Sequence, residues 1–106
     1  MTDTLKKLCN VIDERKGKSP DKSYVAKMFK KGTNKICQKV GEEATEVVIA
    51  ALAEKKKDVV SESADLLFHL CMLWVDKGVA PEDVMAELEK RMGQSGLDEK
   101  AARKAD

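Results

Sequence analysis

Apolar residues recur every three or four positions along most of this chain, and the runs break at glycine, proline and polar clusters. Leu5, Leu8, Val11 and Ile12 lie on one side of a helix predicted over residues 3–15. The linker GKSPDKS ends it, and SYVAKMF predicts a short helix over about 22–30. A long helix is expected over 34–54, with Thr33 as its N-cap. Asp58 is placed to cap the next, over 59–77, which stops at Gly78. Pro81 suits the first turn of a last helix over 81–92. No stretch alternates with period two over a strand's length, so the fold class is all-α. Residues 1–93 form one expected domain, and 94–106, where charge alternates with alanine, an expected tail.

The two long helices should fold into an antiparallel hairpin turning at EKKKD. At about 100° per residue, Ile36, Val40, Ala44, Val47 and Ala51 fall in one stripe, which Val48 and Leu52 widen. Val59, Ala64, Leu66, Leu67, Leu70, Leu73 and Trp74 span a still wider arc. Arcs this wide exceed what one antiparallel partner covers. The first and last helices can take part of it. A second hairpin can take the rest, so a homodimeric four-helix bundle is expected.

Composition narrows the classes. The net charge of +1 gives no bulk attraction to nucleic acid or anionic membrane. No segment approaches the ~18 apolar residues of a membrane span, and charges stand where a signal peptide needs its apolar core, so a cytoplasmic protein is expected. Cys9, Cys37 and Cys71 are odd in number and widely spaced. That fits reduced, mostly packed thiols better than disulfides or zinc. Met28, Met72, Met85 and Met92 read as core or interface filler.

The chemistry lies in the acids. Glu42, Glu43 and Glu46 crowd one stretch of the first long helix, where like charges three and four apart repel. Glu43 and Glu46 sit beside the apolar stripe, and Glu42 points further out. On the second long helix Glu62 and Asp65 share a flank. Closing the hairpin brings the two flanks to similar height, so Glu43, Glu46, Glu62 and Asp65 can face one crevice. Such a group needs a counter-charge, and hard divalent cations such as Mg²⁺ take oxygen ligands. A solvated face with Lys39 paired to Glu43 is the plainer reading of either acidic pair alone. A di-iron site would want E-x-x-H pairs, and no histidine stands three after a glutamate.

The segments 43-EATE-46 and 62-ESAD-65, about fifteen residues apart, resemble the signature of the all-α, MazG-like nucleoside triphosphate pyrophosphohydrolases. SYVAKMFKKGTNKICQKVGEEATEVVIAA and ESADLLFHLCMLW look more narrowly like the phosphoribosyl-ATP pyrophosphohydrolase family over about residues 4–92. One departure is Phe68, where the family often has tyrosine. The resemblance implies Mg²⁺-dependent cleavage of the α–β phosphoanhydride of 1-(5-phosphoribosyl)-ATP, giving phosphoribosyl-AMP and pyrophosphate, the second step of histidine biosynthesis. It also implies a dimer. Glu43, Glu46, Glu62 and Asp65 would be the metal ligands. Glu42, Glu43 and Glu46 would be the catalytic acids, with Glu42 the outer one, able to orient or deprotonate water. Ser23, Tyr24, Lys35 and Lys39 would bind substrate. His69, four after Asp65, would either support that carboxylate or serve only the structure. Arg15 and Lys16 are further candidates, for the ribose-linked phosphate. A house-cleaning hydrolase of other nucleoside triphosphates shares the acidic motif. A non-catalytic helical interaction module has no need of it.

Overall fold

The computed structural model describes residues 2–53 and 55–93, and the expected tail at 94–106 lies outside them. Five helices follow in order: α1 (Thr2–Arg15), α2 (Tyr24–Lys31), α3 (Thr33–Ala53), α4 (Lys56–Lys77) and α5 (Pro81–Met92). No strand occurs among the described residues, as the periodicity predicts.

Local chemistry sets the ends. Ser23 caps α2, its hydroxyl accepting the Ala26 N–H at 3.1 Å. Gly78 ends α4 with φ +70°, a left-handed conformation that costs glycine nothing, while its N–H meets the carbonyls of Trp74 and Val75. Pro81 opens α5, where its missing N–H has no helical partner to lose.

Two capping expectations are corrected. Asp58 does not cap α4. It sits inside the first turn, and its carboxylate reaches back to the Lys55 N–H at 3.2 Å, which lets α4 start at Lys56. Thr33 is the first residue of α3, and its hydroxyl donates to Asp76 Oδ2 at 2.6 Å rather than capping. That bond fastens the start of α3 to the end of α4.

α3 and α4 pack as the predicted hairpin, with α1 against α4 and α5, and α2 against α3. Leu5, Cys9, Ile12, Val25, Met28, Ile36, Cys71 and Met72 form the core, flanked by Phe68, Trp74 and Met85 among others. Full burial of a residue such as Ile12 or Ile36 contributes about 1.5–3 kcal/mol. All these residues lie at the open end of the hairpin. Toward its turn only Ala50 is buried on α3, while Leu52 is 84% exposed and Val60 67%. Met92, 79% exposed, is not core filler in the protomer, because α5 is covered on one side only. Cys37 is exposed, while Cys9 and Cys71 are packed as expected.

Candidate active site

The register that joins Thr33 to Asp76 runs Glu43 level with the turn of α4 that holds Glu62 and Asp65. One carboxylate oxygen from each of Glu43, Glu62 and Asp65 lies within 4.8 Å of the others. Glu43 and Glu62 are half-buried, and Asp65 is exposed. Two acids three residues apart on α4 therefore face one acid on α3 across the hairpin seam. The donor set is all oxygen, carries three charges and opens to solvent on one side. It fits a hard divalent cation and offers nothing to a soft one.

Glu46, expected as a fourth ligand, stands one turn nearer the hairpin turn and is exposed. Its carboxylate is not part of the compact trio among the described residues.

Lys39 supplies the local positive charge. Its Nζ lies 3.3 Å from Glu43 and 3.5 Å from Glu42. The hydrogen bond to Glu43 is the main reason its ammonium titrates above the ordinary lysine value. Glu42 is held below the ordinary carboxylate value, first by the Gln38 amide at 2.9 Å and then by Lys39 and Lys35. A carboxylate stabilised this way stays ionised but makes a poorer proton acceptor. Lys35 is half-buried one turn before Lys39.

His69 is buried behind the acids. Its Nδ1 lies 2.8 Å from the backbone carbonyl of Asp65, not from the carboxylate, because the ring folds back onto its own helix. A carbonyl only accepts, so Nδ1 carries the proton. In the neutral ring Nε2 then accepts from the Tyr24 hydroxyl, 2.7 Å away. Burial raises the Tyr24 phenol above its ordinary value, and Glu43, Glu42 and Asp65 add to this against Lys39. The hydroxyl thus stays protonated and able to donate. Tyr24, Phe68 and His69 pack as an aromatic group, Tyr24 stacked on Phe68 and His69 edge-on to both. Phe68 occupies its wall without the hydroxyl of a tyrosine.

Beyond this group lies a cavity of about 610 Å³, lined by Arg15, Lys18, Ser19, Lys22, Ser23 and Tyr24 together with Val25 and Phe68. Lys18, Ser19 and Lys22 belong to a turn, where no helical period marks a shared face in the sequence. Lys16 is turned elsewhere, paired with Asp13 at 2.9 Å.

Residues 5–92 match the model of the phosphoribosyl-ATP pyrophosphohydrolase family. A phosphoribosyl-ATP pyrophosphatase of Paramagnetospirillum magneticum is 58% identical over 99 residues, covering 93% of this chain and 91% of the relative. One from Rhodospirillum rubrum is 58% identical over 97 residues, covering 92% and 83%. One from Rhizorhabdus wittichii is 54% identical over 103 residues, covering 97% of both chains. With the acidic trio seated on a helical hairpin and the match spanning nearly every described residue, the chain belongs to the phosphoribosyl-ATP pyrophosphohydrolase family.

Proposed function

We propose that this protein hydrolyses the α–β phosphoanhydride of 1-(5-phosphoribosyl)-ATP, releasing phosphoribosyl-AMP and pyrophosphate in the cytoplasm. The observation that carries this reading is the trio Glu43, Glu62 and Asp65, in a chain whose family takes that substrate.

Mg²⁺ is the proposed cofactor, held by the trio with Glu46 as a further ligand from the adjacent turn. When bound, it offsets triphosphate charge and polarises phosphoryl oxygens. The chain's own residues do the rest. Glu43 holds Lys39 charged at the edge of the trio, where the ammonium can meet a phosphate oxygen. Glu42, tied to Gln38 and Lys39, keeps that lysine aimed and is the outer acid of the site. The Tyr24–His69 pair fixes the backbone that presents Asp65. Asp65 is the most open of the three acids.

A homodimer is part of the proposal. It is supported by the bare apolar residues at the turn end of the hairpin, Val48, Ile49, Leu52 and Val60, with Leu67 further along α4. Among the described residues no helix is long and apolar enough to cross a membrane.

A pyrophosphate-release assay with Mg²⁺ tests the reading, comparing phosphoribosyl-ATP with ATP, dUTP and dCTP. Rapid release from phosphoribosyl-ATP alone is expected. Preference for a deoxynucleotide would contradict the substrate and move the chain to the house-cleaning branch of the fold.

A further inference from the structure

The proposed substrate carries phosphate at two ends, a triphosphate on one ribose and a monoester on the other, with adenine between them. The acids and Lys39 serve one end. A monoester at the other end needs its own cations, hydrogen-bond donors and a flat surface for the base.

We infer that the cavity between α1 and α2 is the seat of the ribose-linked phosphate monoester, with Arg15, Lys18 and Lys22 as its cations and Tyr24 with Phe68 as the wall beneath the base. This rests on the substrate named above and adds the residues that would set it apart from an ordinary nucleoside triphosphate.

Four observations carry the inference. Arg15 closes α1, and the turn after it brings three cationic side chains to one concavity. The Ser19 carbonyl accepts the N–H groups of both Lys22 and Ser23, at 3.0 and 3.1 Å, and so fixes the turn that presents them. None of Arg15, Lys18 and Lys22 is ion-paired among the described residues, although acids are abundant in the chain. No acid is among the residues that line the cavity, and cations gathered in a concavity attract an anion. Ser23 accepts from Ala26 through its oxygen, which leaves its O–H directed to other acceptors.

Position completes the argument. Phe68 follows Asp65 by three residues on α4, so the cavity wall begins about one helical turn from the trio. Tyr24 lines the cavity with its ring and joins the acid side through His69. A cavity of about 610 Å³ lies within the usual range for small-molecule sites.

The test uses the full chain and a variant with Arg15→Ser, Lys18→Ser and Lys22→Ser together. The variant should raise KM for phosphoribosyl-ATP at least tenfold, while kcat at saturation changes far less. Ribose 5-phosphate, titrated without metal, should shift the backbone amide resonances of Ser19, Lys22 and Ser23 in the wild type and not in the variant. An unchanged KM with a folded variant overturns the inference. So does a response of those amides to pyrophosphate and not to ribose 5-phosphate, which would place the leaving group there instead. If the wild type fails to hydrolyse phosphoribosyl-ATP, the substrate assignment falls. The ribose 5-phosphate titration then decides the cavity alone: shifts uphold it, and their absence overturns it.

Discussion

Cys71 is fully buried beside Cys9, and burial pushes its thiol up to about 12. Cys9 is raised for the same reason. A folded-state value above the unfolded one favours the protonated fold. That contribution is complete below the ordinary value near 9.0 and fades as pH climbs toward about 12. Stability should therefore decline over that interval. At about pH 8 the native protein should yield at most one equivalent of reactive thiol, against three once unfolded, because a thiolate is the reacting species. Fast reaction of two or more thiols in the folded protein would contradict the packing. The sequence indicated reduced, packed thiols from number and spacing. It did not single out Cys37 as the exposed one, since that depends on which arc of α3 is left uncovered. Glu62 and Asp65 were legible as a pair because three-residue spacing sets them on one flank of α4, and closing the hairpin brings Glu43 to their height, whereas the same spacing on α3 does not carry Glu46 into the trio. The partners of His69 were not, because a histidine's i−4 neighbour offers both a carbonyl and a carboxylate, and only the rotamer decides.

At the scale of elements, the α3–α4 hairpin is covered unevenly. Its open end packs on α1 and α2, and its turn end keeps Val48, Leu52 and Val60 in the open. The width of the apolar arcs in the sequence foretold surplus apolar surface, and the structure locates it. Leu52→Glu places a charge in the middle of this row without disturbing the protomer core, since the side chain is 84% exposed. Sedimentation should find the wild type dimeric and this variant shifted to monomer. An unchanged distribution would remove this face as the dimer seam. Helix boundaries were read to within about three residues. The largest error, at the start of α4, arose because a side-chain acceptor serves equally at the cap or three residues inside it.

In the whole molecule the acids sit on one seam and the cations beside a neighbouring cavity. The core end fixes the register through Thr33 and Asp76, and that register sets Glu43 against Glu62 and Asp65. The turn after α1 adds a cationic wall beyond Tyr24 and Phe68. The acidic half follows from periodicity and could be read in advance. The cationic half depends on the path of a turn, which has no period. We propose that the trio is a metal-dependent catalytic site and not a solvated acidic face. Its most direct test is pyrophosphate release from phosphoribosyl-ATP across an Mg²⁺ titration, for the wild type and for Glu43→Gln, Glu62→Gln and Asp65→Asn. Wild-type turnover should need the cation and vanish with a chelator. Each variant should lose roughly 100-fold or more in kcat/KM, about 3 kcal/mol at about 1.4 kcal/mol per factor of ten, while still melting cooperatively, Glu43→Gln giving up its ion pair with Lys39. Undiminished turnover in these folded variants, or turnover indifferent to the chelator, would contradict the account.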